Sequence, residues 1–90
     1  MRTIDDVIKE ATQAHFAGDF PKAEELYCKV IAHAEDHPLA YFLLGTLYAQ
    51  AVRTGRAITF LKKSLELDPN NSGAMQNLAG AYRQIEDQKR

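Results

Sequence analysis

The 90-residue sequence holds one cysteine, no tryptophan, three prolines and five glycines. With Cys28 alone, no disulfide can form within the chain, and the fold needs no oxidising compartment. No apolar run approaches the roughly 20 residues that cross a bilayer. The opening stretch MRTIDDVIKE has no apolar segment of the signal-peptide kind. A cytoplasmic protein without membrane contact is the resulting expectation. Charge of one sign is lacking too: eleven Lys and Arg against twelve Asp and Glu give a net charge of -1. No basic field holds a phosphate backbone, so nucleic acid is not an expected partner. His15, His33 and His37 form no HExxH or other metal-ligand spacing, and no glycine-rich phosphate loop occurs. His33 and His37 are expected at the surface, and Cys28 as a free, inert thiol. No cofactor, metal or catalytic residue is expected, and the chain reads as a non-enzyme.

Strand signals are weak as well, with no sustained alternation and no Asn-Gly turn. What is present is helical. The prolines and glycines fall at intervals that read as punctuation between five helices. The first starts after Thr3, which caps it with Asp6 reaching back, and ends near Gly18. Asp19 caps the second, with Pro21 in its first turn, where a missing N–H costs nothing. Its apolar residues Ala23, Leu26, Tyr27, Val30, Ile31 and Ala34 recur at steps of three and four. Pro38 opens a third helix running to about Ala51. A fourth spans about Thr54 to Leu67, with Ala57, Ile58, Leu61, Ser64 and Leu65 inward, and Pro69 stops it. The fifth starts near Ser72, carries Met75, Leu78, Ala79 and Tyr82, and the polar EDQKR end is expected to fray. Asp5–Asp6 and Glu24–Glu25 read as helix N-terminal charge, and Lys62, Lys63 and Glu66 as a solvated face.

LLGTLYAQ (Leu43 to Gln50) recurs as NLAGAYRQ (Asn77 to Gln84), 34 residues later. An interval of this size marks a repeat architecture. The middle unit reads Tyr41-x2-Leu44-Gly45-x2-Tyr48, then Ala57-x3-Leu61, then Pro69. The third reads Met75-x2-Leu78-Ala79-x2-Tyr82; the first reads Val7-x2-Glu10-Ala11-x2-Ala14, then Ala23-x3-Tyr27. This pattern resembles the tetratricopeptide repeat. The resemblance implies an all-α, right-handed superhelix forming one domain over 1–90, with repeats at about 4–37 and 38–71 and a lone helix at about 72–86. Small residues at Ala11, Gly45 and Ala79, and at Ala23 and Ala57, fit where two helices of a unit come closest; Leu61 and Tyr27 fill the space between units. Gly18 aligns with Val52, while the nearest glycine there is Gly55, so the second turn is expected to differ in shape from the first.

The resemblance also implies a concave groove lined by the first helix of each unit. Rotation away from the signature stripe places there Ile8, Thr12, His15 and Phe16, then Phe42, Leu43, Thr46 and Gln50, then Gln76, Asn77, Arg83 and Gln84. The expected function is a non-catalytic interaction module taking a peptide or a partner helix. A carboxylate clamp of the chaperone-tail kind is not expected, because Ile8, Thr12, Leu43, Gln76 and Gly80 stand at its places. The Asn ladder of O-linked N-acetylglucosamine transferase arrays keeps one rung, Asn77. The fifth helix lacks a following partner, which leaves an apolar edge at Leu78, Tyr82 and Ile85 and the expectation of a homo-oligomer through it. The alternative is an accessory piece of a larger enzyme such as a glycosyltransferase or sulfotransferase.

Overall fold

The computed structural model describes residues 2–89. Five helices follow one another: α1 (Ile4–Phe16), α2 (Phe20–His33), α3 (Pro38–Gln50), α4 (Thr54–Leu67) and α5 (Ser72–Gln88). Among the described residues there is no strand, and no helix is long and apolar enough to cross a membrane. Consecutive helices pack as antiparallel hairpins in an elongated body of 50 × 27 × 19 Å.

Local chemistry sets the helix starts. Thr3 and Asp6 form the reciprocal capping box at α1, which holds the Asp6 carboxyl below its ordinary range. The Asp19 and Asn71 side chains accept from the backbone N–H groups of Lys22 and Ala74. His37 corrects the surface expectation: it is half-buried, and its Nδ1 accepts from the Ala40 N–H at 3.3 Å as the cap of α3. Only α4 starts without a side-chain cap, at Arg53. At the far end, α5 runs through Gln88, two residues beyond the expected end at about 86; Arg90 lies outside the described residues.

The core is continuous across the hairpins and includes Ala11, Ala23, Tyr27, Leu44, Ala57, Leu61 and Ala74. Gly45 explains why α3 and α4 come so close. A Cβ there would meet Leu61 Cγ at 2.8 Å and the Leu61 backbone nitrogen at 3.2 Å. Leu61 therefore fills the interior of its own hairpin. Ser64 is fully buried and donates to the Pro38 carbonyl at 3.2 Å.

Both hairpin turns have one geometry, against the expectation of a different second turn. Gly18 has φ +84° and Val52 φ +58°. The N–H groups of Gly18 and Asp19 donate to His15 and Ala14, and those of Val52 and Arg53 donate to Ala49 and Tyr48, the same pattern 34 residues on. A β-branched residue thus takes the left-handed conformation that packing of the hairpin demands.

The fifth helix attaches differently from its signature. Ala74 and Ala81 are buried against the body, while Met75 and Tyr82 are 47% and 48% exposed and Ala79 is exposed. Their counterparts Tyr41, Gly45 and Tyr48 are buried, the latter two beneath α4.

Two stability outcomes follow from these packing facts. Gly45→Ala lowers unfolding free energy by about 1–2 kcal/mol, because overpacking of about 1–3 kcal/mol exceeds the gain of about 1 kcal/mol in helix propensity; urea melts measure it. Val52→Gly raises stability by about 0.5–1 kcal/mol, since release of about 1–2 kcal/mol of left-handed strain outweighs the added chain entropy. Val52 is 61% exposed, so little burial is lost. Thermal melts should show that gain as a Tm increase of several degrees.

Candidate functional site

The end of α1, the first turn, α2 and α3 enclose a cleft of about 460 Å³. Thr12, His15 and Phe16 form one wall, Leu43, Thr46 and Gln50 the other, and Phe20 and Tyr27 lie between them. All six wall residues belong to the groove expected from sequence. Phe20 and Tyr27 were not in that set. Their signal was weak, because Tyr27 occupies a signature core position and Phe20 precedes a proline that reads as a helix start.

The cleft is aromatic, and no Asp, Glu, Lys or Arg lines it. Phe16 is 91% exposed at its mouth. The His15 ring stacks on Phe16 with centroids 6.1 Å apart and meets Phe20 and Tyr27 edge-on at 5.4 and 6.0 Å. His15 also bridges two hairpins. Its Nε2 lies 2.6 Å from Gln50 Oε1 and its Nδ1 3.1 Å from the Tyr27 hydroxyl. Gln50 Oε1 can only accept, so Nε2 carries the proton, and in the neutral ring Nδ1 accepts from Tyr27. Burial pushes the Tyr27 phenol up to about 12, so it remains a donor through the physiological range.

The other half of the expected groove is differently built. Phe42 lies over the first turn of α5, where a Cβ on Gly73 would come within 3.1 Å of its ring. Its role is to join α3 to α5. Asn77 donates to the Thr46 hydroxyl at 2.9 Å, and Thr54 donates to Gln84 Oε1 at 2.9 Å. Gln76 and Arg83 are exposed beside these bonds. Ile8 is a correction: it is buried against Val30 and Ala40, because α1, α2 and α3 converge at that end of the hairpin, and it offers no groove surface. Of the edge residues, Tyr82 is exposed and Leu78 and Ile85 are half-buried.

A second cluster lies behind the cleft. The Tyr48 hydroxyl donates to Glu24 Oε2 at 2.6 Å, and Arg56 stands 5.7 Å from the Tyr48 ring centroid and 3.9 Å from the same carboxylate. Glu24 therefore serves as a link to the next hairpin, where sequence had suggested helix N-terminal charge. Burial and, after it, Glu24 push Tyr48 up to about 12. Partial burial of its sulfur and then Glu24 also push the Cys28 thiol up, although the residue as a whole is exposed. Among the described residues, no three His, Cys, Asp or Glu side chains gather as a metal site.

Known proteins place this architecture. Two models described as tetratricopeptide repeat match residues 39–71 and 60–90, together covering more than half of the chain. The solved structure of the TPR2B domain of yeast Sti1, in complex with pHsp70, superposes with a TM-score of 0.87 over 93% of this chain and 67% of that one, at 23% identity. At that identity the likeness concerns the fold.

The two raised tyrosines fix an alkaline response. Each is protonated in the folded chain up to about pH 12 and loses its proton near pH 10 when unfolded. The stability they contribute is whole below pH 10 and falls as pH rises towards 12. Urea midpoints should drop across that window, and Tyr27→Phe with Tyr48→Phe should flatten the drop.

Proposed function

Because the chain belongs to the tetratricopeptide-repeat family, we propose that it is a non-catalytic interaction module whose cleft between α1 and α3 receives a side chain of a protein or peptide partner. The observation that carries this reading is the convergence of six expected groove residues on one cleft, with Phe16 exposed at its mouth. A large apolar side chain suits the aromatic floor. An ionised one would be buried without a counter-charge and is disfavoured. Thr12 and Gln50 supply polar atoms at the rim for the partner's backbone. That the similar yeast domain was solved in complex with pHsp70 supports peptide binding as the class of activity.

A second reading, self-association through the outer face of α5, is favoured by the exposure of Met75, Ala79 and Tyr82. The alternative of an accessory module in a larger enzyme is compatible with both surfaces.

Selection from a displayed peptide library tests the first reading. Peptides enriched on the wild type should carry a recurrent large apolar residue and bind Phe16→Asp or Leu43→Asp at least about tenfold more weakly, the loss of about 1.4 kcal/mol or more. Equal binding to wild type and both variants, or no enrichment at all, would refute the cleft as the site.

A further inference from the structure

Of the described residues that line the cleft, His15 alone is of a type that changes charge between about pH 5 and 8. It is half-buried, and its two ring nitrogens join α1 to α2 and to α3. The joint as it stands needs the neutral ring. Nε2 donates to Gln50 Oε1, and the lone pair of Nδ1 accepts from the Tyr27 hydroxyl. A proton added at Nδ1 turns that acceptor into a second donor. The Tyr27 hydroxyl can then only accept from it, and its own hydrogen must find another acceptor. Tyr27 is fully buried, so the exchange has a cost.

The surroundings give the added charge no partner. From α2 it is faced by Phe20 and Tyr27, from α3 by Leu43, Thr46 and Gln50, and on α1 itself by Thr12 and Phe16. None of these is a carboxylate. Tyr27 keeps its proton up to about 12 and so offers no phenolate. In the first turn, the Asp19 carboxylate is engaged by the Lys22 N–H as the cap of α2. The negative end of the α1 dipole favours a cation in this last turn, and so do the neighbouring aromatic rings. Both act alike with the cleft empty or filled and cancel from the comparison. What differs is water, which solvates the ring in the open cleft and is displaced by an apolar side chain seated there.

Resting on the reading of the cleft as the binding site, we propose that His15 makes the cleft a proton-operated switch, which holds an apolar side chain while the ring is neutral and loses its grip when the ring is protonated. The sign follows from linkage. Occupancy strips hydration from the cation and replaces it with nothing, so the filled cleft holds the proton less tightly than the empty one. Affinity therefore falls as pH falls. Binding confined to the neutral form sets the limit, a fall of about tenfold for each pH unit below the titration of the empty cleft.

The test uses peptides selected on the full chain at about pH 7.5 from a library without Asp, Glu or His, acetylated and amidated so that only the protein titrates. Circular dichroism at both pH values confirms folding. Calorimetric titration should show binding at least about threefold weaker at about pH 5.5 than at about pH 7.5. His15→Gln, which keeps polar atoms but has no titrating ring, should bind equally at both pH values, whatever its affinity at the higher one. His37→Asn, which installs another good cap residue, and His33→Gln should keep the whole fall, because neither position lines the cleft. Saturating peptide should also move the His15 ring titration, followed by NMR, to lower pH. Equal binding by the wild type at both pH values, a fall that persists in His15→Gln, or a ring titration that peptide leaves unmoved would each overturn the switch. Phe16→Asp, measured alongside, separates that failure from failure of the site: if it still weakens the peptide, the cleft stands without the switch. A selection that enriches no peptide would overturn both.

Discussion

No hairpin in this molecule has a core of its own, and its stability depends on how closely successive helices can approach. Two helices of about fourteen residues bury only one stripe each, and neither stripe is covered unless the backbones come near contact. Small residues make that possible at Ala11, Ala23, Gly45 and Ala57, all buried. Where Gly45 leaves room, Leu61 enters. The elongated shape, the buried tyrosines and the cleft beside them all follow from this spacing. A repeat that can complete its cover only with a neighbour stacks by necessity.

The same constraint explains how two unlike turns come to one shape. The first turn has Gly18, for which a positive φ is easy. The second has Val52, for which it is strained, yet the hydrogen bonds are the same. Packing of α3 on α4 over their whole length outweighs a conformational cost of about 1–2 kcal/mol at one exposed residue. Local preference gives way there to the tertiary demand, which is why reading the turn from its residues failed.

Helix positions were legible because prolines, glycines and caps mark them; α4 was expected at about Thr54 to Leu67 and lies there. The groove was legible in part. Thr12, His15, Phe16, Leu43, Thr46 and Gln50 gather in the cleft, since rotation from the signature stripe is a property of a single helix. Ile8 and Phe42 depended on how helices converge, which a one-helix rule does not contain. Glu24 was read as helix N-terminal charge and His37 as a surface residue. Tyr48 reaches Glu24 only when α3 is packed on α2, whereas the Ala40 N–H is a local partner that was missed because histidine is not among the usual cap residues. Tyr27 and Phe20 escaped for the converse reason: a residue serving the core can also form the floor of a cleft.

The cross-links His15–Gln50, Thr46–Asn77 and Thr54–Gln84 tie the first hairpin to the second and the second to α5, each with a different pair of side chains. Each joint is therefore held by its own polar groups, independently of the other. An array built on such joints behaves as a jointed rule whose bend can be reset at one link while the others keep their angle.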